Sequence, residues 1–324
     1  MNKDERDMRR LRAPARTLTK VSAAVYASLQ KRGVPPDLIT SAMSEIKTIL
    51  TDPMLGVAMS GRGCLQHLAA AEECLKYIEN LYTTTSARRT RLPSKNVRED
   101  FFSHWHPDMK NNNSFKKLCS ALLRVTKKGV GQGEVLLCVA DPNFAWAAST
   151  RADLLYGNRT LCEVKSVSNK ASIKANQNAS FRVADQALHD RVFGKKLKIK
   201  QIAKAPHDQQ HKFFEALHPE FYDFNRYDDI FKQVDRAAAL GGRQPERKLK
   251  DLIGFEILKN YKKLEDFQNL ICFRKKGNSI EFVNIVDFDD SAFISENIKF
   301  SLQVWRGGGA QAVGDGYADI ELYA

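Results

Sequence analysis

From Thr17 to about Thr84, apolar side chains recur three and four positions apart, interrupted at Gly33-Val34-Pro35-Pro36 and again at Asp52-Pro53. That spacing lines one face of an α-helix, and the breaks divide the stretch into three helices over 19–32, 37–50 and 63–82. The preceding residues 1–16, MNKDERDMRRLRAPAR, carry charge without an apolar face, so a basic, mobile arm is expected there. Residues 85–113 are basic, polar and aperiodic, and predict a linker between this helical unit (17–84) and the remainder of the chain.

Helical spacing resumes with FKKLCSALLRVTKK, for which Ser114 suits an N-cap. The glycines of KKGVGQGE end that helix, and a second begins near Glu134. The period then changes from 3.6 to 2. ADLLY and TLCEVKS are short, rich in aliphatic and β-branched residues, and separated by Gly157-Asn158-Arg159, a β-hairpin pattern. Beyond a polar tract at 168–182 come helical patterns at 183–192, 208–217, 226–239 and 246–265. NLICFRKKGNSIEFVNI then predicts a second hairpin turning at Lys276-Gly277-Asn278, and IKFSLQVW and ADIELY favour strand. The fold class expected is α/β (α+β), with a mixed sheet of four or five strands flanked by helices at 114–205 and an N-terminal helical unit. Residues 206–324 would complete that core or bind substrate.

Composition narrows the class of partner. Of 324 residues, 43% are hydrophobic, enough for a proper core, and 51 Lys and Arg against 38 Asp and Glu leave a formal charge of +13. An excess of that size favours a polyanion. Nucleic acid is the first candidate. No apolar run approaches the roughly 18 residues of a spanning helix, and the Arg-rich start lacks the apolar core of a secretory signal. A soluble, unexported, cytoplasmic protein without a membrane partner is expected.

Cys64, Cys74, Cys119, Cys138, Cys162 and Cys272 are scattered without a Cys-x-x-Cys pair and read as buried thiols in a reducing compartment. His104 and His106, or His207 and His211, lack the further ligands a zinc site requires. Gly129-Val130-Gly131-Gln132-Gly133 follows a helix and lacks dinucleotide spacing, and there is neither a Gly-Lys-Ser/Thr phosphate loop nor a Gly-x-Ser-x-Gly elbow. Arg306-Gly307-Gly308-Gly309 reads as a turn, and the alternating run 195–200 as a strand with one wet face or a backbone-tracking strip.

Phosphodiester hydrolysis needs an activated water, neutralisation of charge on the phosphoryl oxygens and help for the leaving alkoxide. A divalent metal held open-sided by carboxylates supplies all three. Asp153, Glu163 and Lys165 provide the matching kit, because Glu163 and Lys165 are two apart on a strand and share a face. A two-residue turn at 157–158 would pair Asp153 with Cys162 and point it away from Glu163. A three-residue loop, 157–159, sets Asp153 opposite Glu163, so the chemistry predicts that loop or a bulge. The alternative is a set of cross-strand charge pairs, although burying charge inside LCEVKSV without purpose is costly.

Asp153 with Glu163-Val164-Lys165 resembles the PD-(D/E)XK, or restriction-endonuclease-like, nuclease superfamily, over roughly residues 114–205, as a phage-encoded member would. The position before the aspartate is Ala152 and not proline. The resemblance implies that Asp153, Glu163 and the main-chain carbonyl of Val164 hold Mg²⁺, with Mn²⁺ as substitute, and that Lys165 orients the attacking water and contacts the scissile phosphate. Glu134 would be a further catalytic acid, its alternative being a favourable acid in a helix first turn. Lys170, Lys174, Gln177 and Arg182 would line the phosphate path. DNA is the expected substrate, and a homodimer is compatible, since duplex cutters of this kind often pair two sites. The rival reading is a non-catalytic DNA-binding or phage virion or assembly protein that keeps a nuclease-like fold.

Overall fold

The helical periodicity at the N-terminus folds as α1 (Lys3–Lys31), α2 (Pro36–Gly56) and α3 (Arg62–Thr83) in the computed structural model. The structure describes residues 3–56, 62–83, 92–127, 130–147, 152–157, 159–167, 171–174, 180–181, isolated positions from 206 to 263, and then 265–302, 314–315 and 317–323. Val21, Val25 and Leu29 of α1, Ile39 and Ile46 of α2, and Cys74 and Ile78 of α3 are fully buried at three- and four-residue spacing. Residues 3–16, expected as a mobile arm, are instead the first turns of α1. Apart from Pro14, whose interior position works against the helix, their Arg, Met, Leu, Ala and Glu content is helix-favouring, and each residue added to a helix already nucleated downstream costs little.

The chain divides into two compact units, residues 1–168 with 265–287 and residues 169–264 with 288–324. The first holds a six-stranded mixed sheet flanked by helices. Its strands are β1 (Val97–Asp100), β2 (Phe144–Trp146), β3 (Leu154–Tyr156), β4 (Thr160–Ser166), β7 (Asn269–Lys276) and β8 (Ser279–Ile285), in the order β1-β8-β7-β4-β3-β2. All neighbours are antiparallel except β4 and β7, which run parallel with Cys162 beside Asn269 and Lys165 beside Cys272. A parallel pair requires a long crossover. Here the crossover carries residues 169–264, most of the second unit.

The stretch expected as a linker at 85–113 contains β1, α4 (Phe101–Trp105), a 3₁₀ turn at Pro107–Met109 and the first residue of α5 (Asn113–Leu122). Strand β1 has one apolar residue, so its sequence carries no alternation. It is held by its pairing with β8 and by Asn96, whose Oδ1 accepts from Val286 N at 2.8 Å and Asp287 N at 2.9 Å. The N-cap of α5 is Asn112, not Ser114: Asn112 Oδ1 accepts from Phe115 N at 2.9 Å while Ser114 is already inside the helix. The helix expected near Glu134 is α6 (Glu134–Ala140).

One face of this sheet, including Leu154, Cys162, Val164, Ile271, Phe273 and Phe282, joins a single apolar core with α1 to α6. Burial of each large apolar side chain is worth about 1.5–3 kcal/mol. A polar tie adds to it. The Arg32 guanidinium donates to Cys138 O at 2.8 Å and Phe144 O at 2.6 Å, and Tyr82 donates to Val139 O at 2.8 Å, so Tyr82 of α3 and Arg32, just past α1, satisfy carbonyls at the end of α6 and in β2.

The second unit contains β5 (Ala171–Lys174), β6 (Ser180–Phe181), α7 (Ser291–Asn297), β9 (Ile298–Leu302), β10 (Gly314–Asp315) and β11 (Tyr317–Leu322). Three of the strands form an antiparallel sheet ordered β5-β11-β9, and β10 pairs β6. The two C-terminal segments expected as strand supply β9 and β11. The helical pattern at 183–192, the run 195–200 and Arg306-Gly307-Gly308-Gly309 lie outside the described residues. Among the described residues, no helix is long and apolar enough to cross a membrane.

Candidate active site

The hairpin β3–β4 pairs Leu154 with Cys162, Leu155 with Leu161 and Tyr156 with Thr160, leaving residues 157–159 as the loop. The three-residue register is therefore present. Gly157 takes φ 59°, the left-handed conformation that such a loop needs and that glycine adopts without strain. One step beyond the last rung, Asp153 stands opposite Glu163. The Asp153 Oδ2 accepts the Val164 main-chain N–H at 2.8 Å, so its carboxylate sits on the β4 backbone where the strand ladder stops.

Glu163 and Lys165 alternate with Cys162 and Val164 along β4, and the sheet register puts Leu270 and Cys272 of β7 beside them on the same face. Lys165 Nζ donates to Glu163 Oε1. Glu163 is 3% exposed, and Asp153 and Lys165 are half-buried.

Glu134 opens α6 and is 2% exposed. Its Oε1 accepts from Gly131 N at 2.8 Å, while the buried Oε2 has no hydrogen-bond partner. The preceding glycine makes the placement possible. Gly133 has φ 111°, and a Cβ there would lie 3.0 Å from the Phe273 ring and 3.1 Å from Val164. The start of α6 thus rests against β4 and β7, which a larger residue would prevent.

Burial pushes the Asp153 carboxyl up to about 7, the nearby Glu163 charge adds to this, and Lys165 opposes it. Burial also raises Glu134 above the ordinary carboxylate range, its hydrogen bond from Gly131 and the Lys165 charge opposing. Asp153 and Glu134 each feel Glu163 and Lys165, so the four sequence-predicted groups lie within electrostatic reach of one another. Among them, Glu163 bonds the ammonium directly, and Asp153 and Glu134 feel its charge.

Of the other predicted positions, Lys170, Gln177 and Arg182 lie outside the described residues. Lys174 ends β5, its side chain likewise outside them. His104 and His106 do not converge: His104 Nδ1 bonds Glu99 at 2.7 Å, and buried His106 Nδ1 bonds the Tyr77 hydroxyl at 2.8 Å. His207 lies outside the described residues and His211 is buried. Cys74, Cys119, Cys138, Cys162 and Cys272 are buried free thiols, and the Cys64 side chain is outside the described set.

Sequence reasoning missed Gln132, whose Oε1 accepts from Ser166 Oγ at 3.1 Å, beside Lys165. It also missed Arg274, two residues past Cys272 on the Lys165 face. The glycine-rich run flags the first. Nothing local flags the second, because the parallel β4–β7 pairing joins segments a hundred positions apart. Compared with known proteins, the chain matches no family model, no curated protein and no solved structure.

Proposed function

We propose that this protein is a divalent-metal-dependent nuclease that hydrolyses phosphodiester bonds of DNA, built on a restriction-endonuclease-like core. The observation that carries the proposal is the placement of Asp153, at the end of β3, against the β4 backbone at Val164 and opposite Glu163, with Lys165 on the same face. The mixed sheet flanked by helices agrees with it.

The donor chemistry fits Mg²⁺. Among the described residues no three His, Cys, Asp or Glu side chains form a complete ligand cluster. Mg²⁺ binds through one or two carboxylates, keeps several waters and takes substrate oxygens, so Asp153, Glu163 and the Val164 carbonyl are a sufficient protein contribution. Asp153, a desolvated acid held above its usual pKa, is also a group that a cation would relieve. When bound, the metal supplies charge neutralisation at the phosphoryl oxygens and acidifies water. Lys165, which donates to Glu163, would hold the attacking water and the scissile phosphate. Glu134, with a carboxyl oxygen lacking a hydrogen-bond partner, orients the Lys165 ammonium and the water beside it.

Incubating the purified chain with supercoiled plasmid and Mg²⁺ or Mn²⁺ tests the proposal. Nicking or linearisation is expected, and Asp153→Ala and Lys165→Ala each abolish it. A wild-type chain that binds but never cuts, in either metal, sinks the enzymatic reading and favours a binding protein. Cutting that persists in both variants sinks the residue assignment.

A further inference from the structure

The β7–β8 hairpin outruns its neighbours. Strand β4 stops pairing at Ser166 beside Phe273, and β1 stops at Asp100 beside Glu281, whereas β7 and β8 pair with each other to Lys276 and Ser279. The tip therefore projects by about three residues, or roughly 10 Å, past the end of β4. It carries the run Arg274-Lys275-Lys276 before the turn Gly277-Asn278, and residues 275–278 are exposed. A Cβ on Gly277 would meet nothing within 4 Å, so the turn faces open space.

The base of this projection is fixed. Glu281 accepts from Arg98 Nε at 2.6 Å and from Arg274 Nε at 2.9 Å, tying β1, β7 and β8 together, and Ser279 donates to Asp100. A braced hairpin needs little ordering when it meets a ligand, which is the condition for tight contact by few residues.

Its direction relative to the site is set by register. Lys165 pairs with Cys272, so Arg274 and Lys276 fall on the same sheet face as Glu163 and Lys165, one strand over and further along. By strand geometry their Cα atoms lie roughly 8 and 14 Å from that of Lys165, about two to four nucleotide steps along one strand of a duplex.

We infer that the β7–β8 hairpin tip, through Lys276 on the Lys165 face and Lys275 on the opposite one, grips the phosphate backbone of duplex DNA a few nucleotides from the scissile phosphate held at Lys165. Two consecutive exposed lysines on a braced tip, in a chain of net charge +13, match a polyanion with regularly spaced charges. The choice of duplex DNA rests on the nuclease reading, while the grip itself is read by binding alone.

The test measures equilibrium binding of a duplex oligonucleotide to the full chain across a salt series without divalent metal. The Lys275→Ala/Lys276→Ala variant is expected to bind about tenfold more weakly, with the slope of log affinity against log salt smaller by nearly two. Arginine at both positions restores the slope. A charge-matched control, Lys47→Ala/Lys76→Ala on exposed positions of α2 and α3, leaves it unchanged. Equal slopes for wild type and the hairpin variant, no duplex binding by wild type, or an equal loss in the control each overturn the inference. Cutting with an unmoved slope refutes the hairpin and spares the nuclease; a hairpin-dependent slope without cutting refutes the nuclease and spares the hairpin.

Discussion

The carboxylate of Asp153 replaces a strand partner for Val164, accepting its N–H at 2.8 Å just where the β3–β4 ladder ends. A group that completes a sheet edge and also faces the candidate chemistry has two separable roles. Asparagine separates them, since its Oδ1 accepts the same N–H but brings no charge. Asp153→Asn is therefore expected to keep the fold and lose DNA cleavage by at least about a hundredfold, read on plasmid with Mg²⁺. Cleavage within a few-fold of wild type would remove Asp153 from the site.

The same substitution is expected to raise stability at neutral pH. In the fold the Asp153 carboxyl is held up to about 7 from 3.8, mainly by burial. A raised acid keeps its full contribution below the unfolded value near pH 4 and loses it as pH rises towards 7. Metal-free wild type thus becomes less stable over that window, by about 1–3 kcal/mol from this group. Asp153→Asn flattens that part of the profile, and urea titrations in chelator at pH 4, 6 and 8 measure it. Parallel profiles for the two proteins would rule out the buried carboxyl as the source.

Two glycines with positive φ predict different costs. At Gly157 a side chain meets nothing within 4 Å, so Gly157→Ala adds only left-handed strain, about 1–2 kcal/mol. At Gly133 the strain comes with contacts at 3.0 and 3.1 Å to Phe273 and Val164, so Gly133→Ala costs more, about 2–4 kcal/mol. It also shifts Glu134, the next residue. Denaturant midpoints rank the two, and activity at low temperature falls further in Gly133→Ala than stability alone accounts for.

Legibility in the sequence tracks the range of the interaction. The three N-terminal helices and α6 arise from local periodicity and glycine breaks, and the hairpin register arises from parity, because only an odd loop sets Asp153 opposite Glu163. Strand β1 was illegible because VRED has no alternation and is held by β8 and Asn96, remote in sequence. The tract 3–16 misled because absence of an apolar face says nothing about a helix extended from a buried neighbour. Arg274 was invisible for a third reason: its place on the Lys165 face depends on a parallel pairing across the residues of the second unit.

His106 supplies an acid-side prediction. Burial pushes its imidazole down to about 3 from 6.5, so it is neutral in the fold beside Tyr77. A lowered base gives its full contribution above about pH 6.5 and loses it as pH falls towards 3, at up to about 1.4 kcal/mol per unit. His106→Gln, whose amide can still meet the Tyr77 hydroxyl, removes that slope even if it lowers stability at pH 8. The pH dependence of the urea midpoint, not its value at one pH, is the measurement, and an unchanged slope would rule out His106 as the source.

The N-terminal helices are expected to matter to the site through Arg32. Its guanidinium satisfies Cys138 O at the far end of the helix that Glu134 opens and Phe144 O of β2, and Trp146 N donates to Arg32 O at 2.9 Å. Arg32→Ala leaves those carbonyls without their donor inside a packed region, which costs about 2–4 kcal/mol. Lysine does not restore every contact, because its ammonium can replace Nη1, which reaches both carbonyls, but not Nε, which donates to Ser28 O at 3.2 Å. The consequence for function differs from a simple loss of stability. If α6 loosens, Glu134 moves relative to Lys165 while Asp153 and Glu163, fixed by β3 and β4, do not. At a temperature where Arg32→Ala is still folded by circular dichroism, cleavage is expected to drop about tenfold with duplex binding retained. Full activity in folded Arg32→Ala would show that the helical layer supports the fold without positioning the site.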